Sequence, residues 1–242
     1  MLYINISIAI QNILTFILPI VITTAIISPK PLNFIQLNRS PSIKSLIMTI
    51  AIYMAMTPAL NYLVEWNAGL SLPESLKDVQ EWMRNAENAA QGITDKLLNE
   101  NNIIVSILLV GILTGLSEEV FFRGGLQRIL LSKPINIHLA IWLTALIFSI
   151  MHFQFFGFFP RLIIGAFFGY LAYWSGSLWT AVIAHALNNS TVIVATAIKS
   201  QYGVNLDNLG TVQTGEFPTL AIISIIITFI LIRYYPKKSV TE

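Results

Sequence analysis

Charge is scarce in this chain. Asp, Glu, Lys and Arg make up only 11% of its 242 residues, less than half of the roughly 25% found in a soluble domain. So few charges cannot wet a globular surface, and a soluble enzyme is excluded. Cysteine is absent altogether, which removes disulfides, thiolate metal sites and cysteine nucleophiles together. The net charge is only +2 and the basic residues are scattered, so nothing supports a nucleic-acid partner. No internal repeat or low-complexity tract occurs.

What fills the sequence instead is apolar. Hydrophobic residues make up 55% of it, and the mean hydropathy is +0.70. Lipid then takes the place of the missing polar exterior, and each span must be helical because hydrocarbon offers the backbone no other partner. At about 20 residues per span, the expectation is an all-α polytopic bundle of about seven transmembrane helices. The spans run from about Leu2 to Ile27, Ser45 to Val64, Asn102 to Leu131, Ile137 past His152, Arg161 to Trp174, Leu178 to Ile198, and Phe217 to Tyr235. The first lacks a basic leader and a small-residue cleavage site, so it reads as a span and not a signal peptide. Gly165 and Gly169 form a GxxxG suited to close helix packing, and Arg161 reads as an interface anchor.

The loop from Glu65 to Glu100, between the second and third spans, carries seven acidic and three basic residues. Ser71-Leu72-Pro73-Glu74 reads as a capping box. Leu76, Val79, Met83, Ala86, Ala90, Ile93 and Leu97 follow as one apolar stripe of an amphipathic helix. Three regions are expected: residues 1–100 with two spans and this loop, a core over 101–200, and 201–242 with a last span and basic tail. Lys30, Arg39, Lys44, Arg128, Lys133, Arg233, Lys237 and Lys238 share one side if the spans alternate, against five basic residues opposite. That bias predicts an N-terminus outside and a cytoplasmic C-terminus, in an integral protein of the bacterial inner membrane.

Ionised groups in a span oppose its insertion by about 2.5 to 3.5 kcal/mol each. Glu118, Glu119 and Arg123 nevertheless sit together in the third span, so the bundle interior must offset them. Glu119 and Arg123 are four apart with the acid first, the favourable order for a helical pair. Glu118 is turned by about 100° from Glu119 and is left to face a reactant. His152 and His185 lie inside other spans, and Asn189 shares a helix face with His185, as Asn188 does less closely. His138 sits beside a loop, where a solvated imidazole needs no explanation. Intramembrane polar groups converge on a shared interior, so Glu118, His152, His185 and Asn189 are expected around one pocket.

The ordered pattern Glu118-Glu119-x-x-x-Arg123, Phe148-x-x-x-His152, His185-x-x-x-Asn189 resembles the CPBP intramembrane proteases. These comprise the type II CAAX prenyl proteases and the bacteriocin-processing or immunity (Abi) proteins. All three motifs are present, over about residues 104 to 195. The resemblance implies endopeptidase activity on a membrane protein or peptide, with Glu118, His152, His185 and Asn189 in the catalytic positions. Glu119, Arg123 and Phe148 would support them.

Two versions of the chemistry are open. Glu118, assisted by His152, deprotonates a water while His185 and Asn189 donate to the oxyanion, which requires a polar, water-filled cavity. Alternatively His152, His185 and Glu118 hold Zn²⁺, a common catalytic set, although no HExxH occurs. Competing readings are a proton-coupled transporter, which should show inverted repeats, and a non-catalytic scaffold or immunity protein. Rhomboid-like serine chemistry lacks its GxSG and aspartyl chemistry its GxGD. The substrate's identity and the oligomeric state are not encoded in these motifs.

Overall fold

The computed structural model describes residues 2–100, 102–202 and 218–237. Among them the chain is all-helical and builds an integral membrane bundle. Five helices are long and apolar enough to cross a membrane: α1 (Leu2–Ile27), α2 (Ile43–Ala68), α4 (Ile103–Leu131), α6 (Phe155–Ser175) and α7 (Leu178–Lys199, continuing to Tyr202). Helix α3 (Lys77–Glu100) is the amphipathic segment between α2 and α4. Two apolar helices are shorter, α5 (Ile137–Ile150) and α8 (Thr219–Arg233). The seven apolar segments expected from hydropathy are thus present, but two fall short of a full span.

Helix α5 departs most from the expectation, because it stops at Ile150 and does not run past His152. Its 14 residues rise only about 21 Å, less than the roughly 30 Å of a hydrocarbon core. Phe153 turns the chain with φ of 52°, the left-handed region that a bulky residue enters only when its surroundings hold it there. Ser149 Oγ donates to the Phe158 carbonyl at 2.7 Å and closes the turn. Asn67, at the end of α2, clamps it from outside: its amide donates to the Phe155 carbonyl at 3.1 Å and its Oδ1 accepts from Phe159 N–H at 2.8 Å. Pro160 falls within the first turn of the α-helical part of α6, which begins at Phe158 after a 3₁₀ turn, where a missing N–H costs nothing. His152 therefore sits in a tight, supported turn and not in mid-helix.

The expected capping box is also not formed. Pro73, with φ −54° and ψ 150°, holds the chain outside the helix, so a short 3₁₀ turn at Glu74–Leu76 opens it instead. The Leu72 N–H is taken by Gln80 Oε1 at 2.5 Å. Leu76 and Val79 are exposed, while Arg84 lies 4.0 Å over the Phe156 ring, tying α3 to the α5–α6 turn. The side chains of Ala90, Ile93 and Leu97 in the stripe lie outside the described residues.

Helix α1 is peripheral. Its Ile20 fits against Gly125, and its Phe16 meets Phe121 edge-on. Helices α2 and α8 pair around Pro58, whose ring breaks the α2 ladder. Ser224 Oγ enters the break, donating to the Ala55 carbonyl at 2.5 Å and accepting from Ala59 N–H at 3.2 Å. Ile52, Tyr53, Phe167, Phe168, Leu171 and Ala184 form the main core between α2, α6 and α7.

Helices α4 and α7 approach more closely than side chains normally permit. A Cβ at Gly115 would meet the Ala186 backbone nitrogen at 3.3 Å, and one at Gly111 would meet Ser190 Oγ at 2.7 Å. This GxxxG contact lies one turn before the two glutamates. Since backbone atoms oppose Gly115, Gly115→Leu is expected to destabilise the protein by about 1 to 3 kcal/mol through overpacking. Thermal unfolding in detergent, with Gly92→Ala on open surface of α3 as control, measures it.

Candidate functional site

Glu118 and Glu119 occupy a short α-helical turn, Gly115–Glu119, between two π-helical stretches of α4, Ile107–Thr114 and Val120–Gln127. Widened turns of this kind recur at functional sites, and they change where backbone carbonyls point. The Val110 carbonyl accepts a hydrogen bond at 3.1 Å from the side-chain amide of Asn189 on α7. Asn189 thus ties α7 to α4, and Asn188 donates to it at 3.3 Å.

Below this, one face of α4 carries Glu119, Arg123 and Gln127 at four-residue intervals. Glu119 Oε1 accepts from Arg123 Nη1 at 2.7 Å, with both side chains fully buried. Arg123 Nη2 donates to the Gly165 carbonyl at 2.7 Å, and Gln127 Nε2 to the Gly169 carbonyl at 3.1 Å. The same four-residue spacing on α4 and α6 makes the two contacts repeat. A Cβ at Gly165 would lie 3.3 Å from Arg123 Nη2, and one at Gly169 would lie 2.7 Å from Gln127 Oε1. The GxxxG of α6 therefore admits polar side chains to its backbone as well as packing against α5. Phe122, Phe148 and Phe168 surround the guanidinium, with Phe148 nearest at 4.7 Å from ring centre to Cζ.

His185 completes the cluster from α7. Its Nδ1 lies 2.7 Å from Glu119 Oε1, and its Nε2 lies 3.7 Å from Glu118 Oε2. The ring stacks on Phe168 and meets Phe148 edge-on. The Glu118 side chain keeps 11% of its exposure whereas Glu119 keeps none, so Glu118 is the carboxylate with access to solvent. His152 packs against the same Phe148 ring, at 4.8 Å between centroids, and its Nδ1 lies 2.8 Å from the Phe148 carbonyl. One aromatic ring thereby touches both imidazoles and the guanidinium.

Glu118, Glu119, Arg123 and His185 are in direct contact, while His152 joins them through Phe148. Asn189 is held one turn beyond His185, with no hydrogen bond to Glu118 among the described residues. His138 lies at the opposite end of the bundle, exposed, with Nδ1 2.7 Å from the Tyr170 hydroxyl.

His185 and His152 both have Nδ1 engaged, one by a carboxylate and one by a backbone carbonyl. That leaves Nε2 as the free nitrogen, an arrangement found for metal-binding imidazoles. Yet among the described residues no three His, Asp or Glu side chains gather at metal-ligand spacing. The set does not fit a three-ligand zinc site in this arrangement, and the chemistry below is derived from the side chains themselves.

Three contributors were missed from sequence. Gln127 extends the stripe and was signalled by its place four residues after Arg123. Gly111 and Gly115 are a second GxxxG, visible in the sequence one turn before Glu118. Arg161, expected as an interface anchor, stands half-buried near the start of α6. Its Nη2 donates to Gln154 Oε1 at 2.5 Å and lies 2.9 Å from where a Cβ on Gly157 would be. No local pattern announces it, since the turn that brings it inward follows from the early end of α5.

Comparison with known proteins falls on the same region. Residues 100–191 match the family model described as type II CAAX prenyl endopeptidase Rce1-like, a window holding every motif residue, so the resemblance read from the motifs is borne out over it. The uncharacterized protein YpbD of Bacillus subtilis (strain 168) is 27% identical over 111 residues, 44% of this chain and 53% of that protein. The chain thus spans about half the length of the curated relative it matches. No solved structure matches.

The buried pair sets a stability test. Arg123→Met leaves the Glu119 carboxylate without its main counter-charge and is expected to cost about 3 to 5 kcal/mol. Glu119→Gln with Arg123→Met removes both charges and should recover much of that loss. Denaturant or thermal unfolding of the single and double variants decides.

Proposed function

We propose that this chain is an intramembrane endopeptidase that hydrolyses a peptide bond in a membrane-associated protein or peptide. Its centre is Glu118, His152, His185 and Asn189, in a bacterial inner-membrane protein whose N-terminus lies outside. The observation that carries this reading is the placement of His185 between two carboxylates, 2.7 Å from Glu119 and 3.7 Å from Glu118.

Charge balance supports the assignment of roles. Two carboxylates against one guanidinium leave the buried cluster one negative charge in excess, which burial penalises. A single proton brings it to neutrality, and the two atoms that can share it are Glu118 Oε2 and His185 Nε2. With that proton on His185, Nδ1–H donates to Glu119, Nε2–H is a hydrogen-bond donor, and Glu118 is a free base. Base and oxyanion donor are thus created together.

In the reaction, Glu118 takes a proton from water as the oxygen bonds to the scissile carbonyl carbon, with His152 Nε2 orienting the water. The developing oxyanion accepts from His185 Nε2–H and from the N–H of Asn189 that Val110 does not use. Such donors are typically worth about 2.7 to 4 kcal/mol each. Glu118 then passes its proton to the leaving nitrogen as the C–N bond breaks, acting as base and acid in turn. Phe148 fixes the spacing of the two imidazoles, and Glu119 with Arg123 fixes the tautomer and angle of His185.

Membrane fractions from cells carrying the wild type, Glu118→Gln or Glu118→Ala test the proposal through the peptide termini they contain. New termini are expected only with the wild type, and on an identified substrate Glu118→Gln should lower turnover by about 10²- to 10⁴-fold. Identical termini in all three remove the protease reading. Elemental analysis and a chelator settle the alternative in which His152, His185 and Glu118 hold Zn²⁺. The side-chain mechanism predicts activity unchanged by chelation; one zinc per chain, lost in His152→Ala, would replace it with the metal version.

A further inference from the structure

The end of the bundle away from α3 holds a cavity of about 570 Å³ between α4, α5, α6 and the start of α7. Arg39, Arg128 and Lys237 stand at it, and no carboxylate lines it. A second hollow of about 620 Å³ opens beside it, shares Arg39, Gly176 and Lys237, and is likewise without an acid. Arg39 and Arg128 are near enough to feel each other's charge. Among the described residues no acid pairs with any of the three cations. Like charges so assembled repel unless an anion joins them.

The mouth is held in place by the surrounding backbone. Arg128 Nε donates to the Phe34 carbonyl at 3.1 Å, and Ser177 Oγ donates to the Arg39 carbonyl. Trp179 Nε1 donates to the Leu37 carbonyl at 2.8 Å. Lys237 lies 5.3 Å over the Trp174 ring. These contacts fix the loop after α1 against α4 and α7, and the C-terminal segment against α6.

The floor is polar and sealed. Gln127 and Arg123, 2% and 1% exposed, both line the cavity. Gln127 Oε1 and Arg123 Nε have no hydrogen-bond partner, although buried polar atoms are normally paired. Leu131, Ile137 and Leu178 supply an apolar wall between floor and mouth. Basic mouth, apolar wall and position at a helix-bundle end are the features by which membrane proteins hold anionic headgroups.

We propose that this cavity binds a phosphate-bearing anion, a phospholipid headgroup or soluble phosphate, through Arg39, Arg128 and Lys237. The site lies apart from Glu118 and both histidines and stands whether or not the chain is a protease. Arg123 is common to both, with its Nη atoms on the Glu119 side and its Nε unpaired.

The test uses the full chain purified in neutral detergent, with phosphatidylglycerol or phosphatidylcholine added and retained lipid read by native mass spectrometry. The wild type should retain phosphatidylglycerol preferentially, with binding about fivefold weaker for each cavity charge removed in Arg39→Gln, Arg128→Gln and Lys237→Gln. A control with Lys44→Gln, Lys133→Gln and Arg233→Gln removes as many charges at the same end but outside the cavity, and should retain the lipid. Equal loss in both sets would show a diffuse basic belt and overturn the proposal. Inorganic phosphate is the second probe. Raised thermal stability in the wild type but not in the cavity variant assigns soluble phosphate; lipid preference with no phosphate response assigns the headgroup. Absence of both responses overturns the site. Because Arg128 also braces Phe34, the double variant Arg39→Gln/Lys237→Gln, confined to exposed side chains, repeats the measurement with that hydrogen bond intact.

Discussion

The cost of ionised groups in hydrocarbon governs this structure. Glu118, Glu119 and Arg123 lie in one helix and are all buried in the bundle, so nearby features must cancel their charge or admit the groups that do. Arg123 is cancelled by Glu119 at 2.7 Å and further held by the Gly165 carbonyl and the Phe148 face. Glu119 is fully enclosed, which makes it a structural group. Glu118, one residue away and turned off the pairing face, inherits the residual charge and the residual exposure. On the proposed reading, a difference of about 100° around a helix separates scaffold from reactant.

Missing Cβ atoms make these approaches possible. Gly111 and Gly115 bring the α7 backbone onto α4, and Gly165 and Gly169 bring the α4 side chains onto α6. Gly165 and Gly169 lie beside Arg123 and Gln127, which share their four-residue spacing, while Gly111 and Gly115 face Ser190 and the Ala186 backbone. Both repeats stand in place of the apolar knobs that would otherwise hold the helices apart. Contact between transmembrane helices lacks a hydrophobic drive, so close packing and polar contacts must supply it. Here the contact and the site are one set of atoms.

Much of this was legible in advance. The bounds of α1 and α4 follow from hydropathy, and the Glu119–Arg123 pair follows from four-residue spacing. What spacing could not reveal is that Glu119 Oε1 serves two donors, because the second, His185, comes from a helix 66 residues away. Nor could hydropathy find the end of α5. Met151, Phe153, Phe155 and Phe156 keep the profile apolar through the turn, and the break depends on Asn67 bonding across from α2. An apolar run and a re-entrant turn look alike when the hydrogen bonds that make the difference come from elsewhere. The same early end sets where Arg161 enters α6, beside Gln154.

The histidine tautomers connect the geometry to its chemistry. A neutral imidazole has one donor and one acceptor, and for His185 the choice is made by Glu119, which can only accept. Nδ1 must therefore carry a hydrogen, and any further proton has to sit at Nε2, facing Glu118. At His152 the Phe148 carbonyl makes the same choice. Each ring is thus set by a group that cannot itself take part in proton transfer, one because it is neutral backbone and the other because Arg123 holds its charge. In the proposed mechanism, proton movement is then confined to Glu118 and the two Nε2 atoms. If the supporting pair were exchanged for residues that leave His185 Nδ1 without an acceptor, both tautomers would become accessible and the donor at Nε2 would no longer be specified. On the proposed reading, Glu119 and Arg123 therefore choose which atom of His185 can act, in addition to supporting the fold.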